Sequence, residues 1–264
     1  MQRASRTNLI LLGLVVLLGL AAWWQVEREV AGFEPPLSTL DTSAVRRIEV
    51  NCRQCQRRVF ERDGAHWTMR QPYDLPADDA VVARLLSIAR SPVRRRHALD
   101  AFDVAKVGLA PPLMRLVLDD THFDIGLTDA LGGDRYVRTG DRIAMVPDRF
   151  SPFLLAAPES ELDRHLVPGG STPASLRIDG SVRADLLGAW SDAQAARLVA
   201  DADTATAATG TQVELRLADD STIEFTLGAD AEGAFLRRAS PPIRYRLAPG
   251  QAQALLGRPI PASP

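Results

Sequence analysis

The sequence predicts an α+β protein in which an N-terminal transmembrane helix is followed by two tandem, duplicated units of antiparallel β-meander with short packing helices. Three observations carry that expectation. Residues 9–24 form an apolar run, several later stretches alternate apolar and polar residues, and one long series of residues occurs twice. The boundaries that follow are 1–28 for a cytoplasmic basic start and membrane anchor, 29–44 for a stalk, 45–168 for the first α+β unit, and 169–264 for a second, shorter one.

The apolar run comes after Arg3 and Arg6. At 1.5 Å per helical residue it covers about 24 Å, and Val26 extends it, so a thin or locally adapted bilayer would be spanned through residues 9–26. A cleaved signal peptide shares the basic start and leucine-rich core. Cleavage after Ala22 needs a small residue three positions back, and Leu20 stands there, while Trp23 and Trp24 suit an interfacial belt. An uncleaved anchor is the preferred reading. The cationic start against Glu27, Arg28 and Glu29 places the N-terminus in the cytoplasm and the remainder in the periplasm of a bacterial inner membrane.

Residues 25–40 hold Pro35 and Pro36 and read as the stalk. What remains is about 235 residues, enough for one large or two small cores. With 24% charged and 46% hydrophobic residues the composition is that of a globular protein. The chain carries 31 bases against 33 acids, which speaks against a nucleic-acid partner, as does the expected compartment.

Cys52 and Cys55, the only cysteines, lie between the strand-like runs 45–50 and 57–61. Haem attachment needs a histidine where Gln56 stands, zinc needs two further ligands, and a thioredoxin-type pair belongs at a helix N-terminus. A disulfide at a hairpin end in an oxidising compartment is the favoured reading. Residues 78–89 predict a helix, with Asp78 and Asp79 at its start and Val81, Val82, Leu85, Leu86, Ile88 and Ala89 in an apolar stripe.

The repeat is the clearest feature of the remainder. Leu116, Leu118, Asp119, Asp120, Phe123, Ile125 and Gly126 recur as Leu215, Leu217, Asp219, Asp220, Phe225, Leu227 and Gly228. Tyr136, Val137 and Arg138 answer to Phe235, Leu236 and Arg237; Arg142, Ile143, Met145 and Pro147 answer to Arg244, Tyr245, Leu247 and Pro249. Alternation at Met114, Leu116, Leu118 and at Val213, Leu215, Leu217 has the period of a half-buried strand. A short helix is expected after Pro147 and after Pro249. The earlier halves match more loosely: Ile48 with Ile178, Trp67 with Trp190, and the helix at 78–89 with residues 192–202. Gly169, Gly170, Ser171 and Thr172 mark the boundary, and 200–210 reads as helix end plus loop.

Leu40-Asp41 before the stretch from Val45 to Ile48, Trp67 followed by Pro72 and Pro76-Ala77-Asp78, Val107-Gly108-Leu109 with Pro111-Pro112, and Ile125-Gly126 before Tyr136-Val137-Arg138 give an order that resembles the family of the domain of unknown function 4340. The resemblance covers most of the part after the anchor. It implies a bacterial single-pass membrane protein, associated in some relatives with gliding-type or ABC-transporter systems.

Candidate chemistry is sparse. His66, His97, His122 and His165 lie in no metal or protease motif, Lys106 has no glycine-rich loop before it, and no nucleophile elbow is present. No catalytic, cofactor or metal residue is therefore assigned. Asp119-Asp120 and Asp219-Asp220 read as turns, and Asp201 with Asp203 lacks the pattern of a calcium loop. Arg94, Arg95, Arg96 and His97 form a candidate interaction patch, with a solvated strand face as the plainer reading. The expected role is an accessory or scaffold module for an envelope protein partner, open sheet edges offering one route to pairing. The alternatives are a receptor for a glycan or small ligand at the junction of the two units, and an envelope hydrolase.

Overall fold

The structure, a computed structural model, describes residues 12–23, 34–201 and 210–257. It is antiparallel β-sheet with a few short helices, the α+β class. Helix α1 covers residues 12–23, and each of these is exposed. No helix among the described residues is long and apolar enough to cross a membrane. The ends of the expected span, 9–11 and 24–26, lie outside the described residues, as do the basic start, the first part of the stalk at 29–33, Asp203 and the rest of the loop at 202–209, and 258–264.

The chain divides into two compact units, each drawn from separate stretches: Met1–Leu40, Ile88–Leu113 and Phe123–Arg149 in one, Asp41–Ser87, Met114–His122 and Phe150–Pro264 in the other. In the first, strands β7 (Thr121–Thr128), β8 (Asp134–Thr139), β9 (Arg142–Pro147) and β5 (Arg95–Ala98) lie in the order β7-β8-β9-β5. Gly140 takes a left-handed φ of 58° in the two-residue turn from β8 to β9, the geometry that matches strand twist. Phe123, Ile125, Val137, Ala144 and Val146 are buried together with Ile88, Val93 and Leu109. Gly126 sits where an added Cβ would come within 2.3 Å of the Val107 carbonyl oxygen, so only glycine fits. Residues 34–38, expected as stalk, run against 89–93 instead. Glu34 N donates to Val93 O, Leu37 N to Ser91 O and Ser38 N to Ala89 O, and Leu37 is buried.

The second unit contains the ladder β4-β3-β2-β1-β6, from β1 (Arg47–Cys52), β2 (Arg58–Asp63), β3 (His66–Gln71), β4 (Leu75–Pro76) and β6 (Met114–Leu118). Helix α2 (Asp79–Ser87) begins where the Asp78 carboxylate accepts the amides of Ala80 and Val81, an N-cap bond that satisfies orphan donors. Its Val82 and Leu85 are buried, and the expected last turn tightens into a 3-10 helix at Ile88–Arg90. Arg58 and Glu161 are both fully buried and meet at 2.6 Å. The same guanidinium donates to the carbonyls of Phe153, Leu154 and Ala156, thereby capping α3 (Ser151–Leu154), whose last carbonyls have no partner within the helix.

The same unit carries β11 (Ser181–Val182), β10 (Pro173–Ile178), β13 (Thr211–Leu217), β14 (Thr222–Asp230), β15 (Gly233–Arg238), β16 (Ile243–Arg246) and β12 (Arg197–Ala200), in that spatial order. Trp190, on α4 (Leu187–Ser191), is fully buried, packs near Phe225, which in turn meets Tyr245, and donates its indole N–H to Leu255 O of α5 (Gln251–Leu256).

The order β14-β15-β16-β12 repeats the first unit's β7-β8-β9-β5, and the pair β10-β13 repeats the pair β1-β6. The helices α3 and α5 follow Pro147 and Pro249. The ladders also correct the finer equivalences. Tyr136 faces Met145 while Phe235 faces Arg246, so Ile143 corresponds to Arg244 and Ala144 to Tyr245, one residue away from the correspondence read in the sequence. The correspondence read in the sequence needs a turn three residues longer after Arg238 than after Thr139, whereas the ladders make it two residues longer. Ile178 faces Val213 as Cys52 faces Met114, so its counterpart is Cys52 and not Ile48. Trp67 lies on β3 and Trp190 on a helix, and Arg197–Ala200 form strand β12 within the stretch where a helix was expected.

Candidate functional site

The basic patch is divided by the elements that hold it. Arg94 precedes β5, and its Nε donates to Asp134 Oδ1 at 3.1 Å at the start of β8. Arg96 turns to the incoming chain, where its backbone N–H and guanidinium take both Glu34 carboxylate oxygens and the Pro36 carbonyl. His97 meets Phe102 edge-on at 5.1 Å, and Phe102 meets Tyr136 at 5.3 Å. Arg95 is exposed, and its side chain makes no hydrogen bond or ion pair among the described residues. Only Arg94 and Arg95 thus line a common feature, a shallow groove of about 560 Å³ shared with Asp129, Leu131, Gly132, Asp134 and Met145.

The β7–β8 loop forms the rim of that groove. Asp129 Oδ2 accepts Gly132 N at 2.7 Å, its own N–H donates to Asp134 O, and its carbonyl accepts Gly133 N. Tyr136 donates its hydroxyl to Asp129 Oδ1, and burial, then the Asp129 charge, raises the phenol above its ordinary pKa, so it keeps the donor proton. Asp134 is buried under Arg94, which compensates its charge. Sequence reasoning found the arginines as a charge run but not Asp129, Leu131, Asp134 or Met145. The signal available was the Asp-Ala-Leu-Gly-Gly loop, in which a leucine stands between turn residues.

The corresponding face of the other repeat is closed by ion pairs. Arg244 and Arg246 lie over the Phe235 ring at 4.8 and 5.2 Å, the Asp201 carboxylate accepts from Arg237 and Arg244, and Arg246 reaches Asp230 and Glu232. The hydrogen bond from Arg246 holds Asp230 below its ordinary carboxylate pKa. Asp201 is a buried counter-ion, and its expected companion Asp203 lies outside the described residues.

Cys52 and Cys55 are joined by a disulfide with Cα atoms 5.4 Å apart. Asp119 takes φ 49° and accepts the amides of Arg46 and Arg47, while Asp220 takes φ 67° and Asp219 accepts Ser221, so both acid pairs sit in turns. His66 pairs with Asp79 at 2.8 Å; His165 pairs with Asp163 at 2.6 Å and with Gln194. His122 is exposed on β7. Among the described residues no group of three or more His, Cys, Asp or Glu is placed to hold a metal ion.

The sheet edges are less open than the sequence suggests. β4 and β11 are two residues long and β4 ends in Pro76; β5 has its Arg96 N–H bonded to Glu34; the chain entering β12 is bonded through Ala195 N to Arg164 O. No family model, no curated protein and no solved structure matches the chain.

Proposed function

We propose that the chain is a bacterial inner-membrane protein, anchored once through residues 9–26, that holds a duplicated α+β module in the periplasm and acts there by binding an envelope protein partner. One observation carries the anchoring: α1 is apolar and every described residue of it is exposed, including Leu12, Leu14, Val15, Leu17, Leu18, Leu20 and Trp23. Such a surface is unfavourable in water and favourable in hydrocarbon. Arg3 and Arg6 before it set the orientation. The repeated strand order supports a duplication, and the disulfide suits an oxidising compartment. The resemblance to the domain of unknown function 4340 adds an accessory role beside a transporter or gliding-type system.

Binding is preferred to turnover because His66 and His165 each engage their own carboxylate on separate segments, with no nucleophile among the described residues hydrogen-bonded to either ring. The test is a pair of C-terminal reporters, one active only outside the cytoplasm and one only inside, with crosslinking and mass spectrometry on intact cells. Activity of the external reporter and recurrent crosslinks to one envelope protein support the reading. Activity of the internal reporter alone overturns it.

A further inference from the structure

The β7–β8 loop holds a leucine in the open. Leu131 is 98% exposed, yet the loop that carries it is tied at both ends and across its middle by the Asp129 carboxylate, N–H and carbonyl. A single exposed leucine is ordinary on a protein surface. This one stands beside Met145 and two guanidiniums, of which Arg95 makes no hydrogen bond or ion pair among the described residues. An apolar tip flanked by arginines suits the boundary between headgroups and acyl chains, where a guanidinium forks a phosphate and the leucine enters the apolar layer.

The path of the chain points to the same surface. The first described residue after α1 is Glu34, which donates its N–H to Val93 O, one residue before Arg94, while its carboxylate is held by Arg96. From residue 23 to residue 34 even a fully extended chain spans at most about 40 Å. The groove therefore adjoins the point at which the tether joins its unit.

We propose that Leu131 and the guanidiniums of Arg94 and Arg95 form a docking surface for anionic phospholipid headgroups of the bilayer that holds the chain, an inference that rests on the anchored reading above. The surface would fix the orientation of this unit on the membrane. An acidic protein segment is the competing occupant.

The full chain is reconstituted in vesicles containing phosphatidylglycerol, and in vesicles of phosphatidylcholine alone, with a polarity-sensitive fluorophore on Leu131→Cys. The control carries the label on Asp141→Cys, in the turn at the far end of β8, about 20 Å along the strand. A blue shift and quenching by headgroup-labelled lipid at position 131 and not at 141, stronger in phosphatidylglycerol and reduced about fivefold by Arg95→Glu, is the expected result. Equal, weak quenching at both positions in a chain that floats with the vesicles overturns the docking and leaves the anchor standing. A chain that fails to float overturns both. Shielding of position 131 in native membranes but not in protein-free vesicles assigns the surface to a protein and overturns the lipid reading.

Discussion

Replacing Arg58 with leucine tests what holds the second unit together. The guanidinium is fully buried, meets Glu161 at 2.6 Å, and supplies hydrogen bonds to the carbonyls of Phe153, Leu154 and Ala156. Leucine would leave a carboxylate buried without its counter-charge and three carbonyls without this donor. Breaking one side of such a pair costs about 3–5 kcal/mol, which for a domain of this size lowers Tm by about 6–20 °C. The loss should also depend on pH. Burial pushes Glu161 up to about 7 from an ordinary 4.5, with Arg58 opposing the rise. An acid whose folded pKa is raised adds stability that is complete below 4.5 and disappears as pH climbs through 7. Without Arg58 that dependence steepens, so Arg58→Leu should be more damaging at pH 8 than at pH 5. Urea unfolding at the two pH values measures both quantities. The double variant Arg58→Leu with Glu161→Leu should recover most of the loss, since an apolar pair leaves no charge stranded. A single variant that loses under about 1 kcal/mol, or a double variant no better than the single, refutes the idea that charge compensation dominates here.

Asp119→Ala should cost about 1–2 kcal/mol in urea unfolding, because a left-handed residue and the acceptor for the Arg46 and Arg47 amides are altered together; Asp119→Asn should cost less. Gly126→Ala, which brings a Cβ to 2.3 Å from the Val107 carbonyl, should lower Tm well beyond Gly169→Ala, whose added methyl meets nothing within 4 Å. Cys52→Ser with Cys55→Ser should cost about 1–2 kcal/mol, as expected for so short a closed loop, and a reductant should reproduce that loss in the parent chain without adding to it in the variant.

The alternation at Met114, Leu116, Leu118 and at Val213, Leu215, Leu217 was enough to place β6 and β13, because side-chain period is a local property. Helix α2 was legible for the same reason: its stripe and its Asp78 cap lie within one short stretch. Register was not legible across the β8–β9 and β15–β16 turns. Gly140 and Asp141 close one, while Ala239, Ser240, Pro241 and Pro242 close the other, and alternation does not count loop residues. Residues 192–202 read as helix by their match to the helix at 78–89, yet pairing with β16 made Arg197–Ala200 a strand, so sheet context decides what a loose repeat match does not. Of the patch, the charge was visible in sequence. Its division was not, since it depends on Glu34, Asp134 and Phe102 arriving from three other segments. The Arg58–Glu161 pair was invisible for the same reason, its two members standing 103 positions apart.

Strands β5 and β12 are each made early and used late. β5 is synthesised before β6, β7 and β8, but its ladder partner among the described residues is β9; β12 likewise precedes β13 to β15 and waits for β16. A chain emerging from the ribosome N-terminus first therefore carries, twice over, an arginine-bearing strand that waits for a later hairpin to close. The arginines of these waiting strands, Arg95 and Arg96 in one and Arg197 in the other, keep each nascent strand hydrated and poorly suited to stray association.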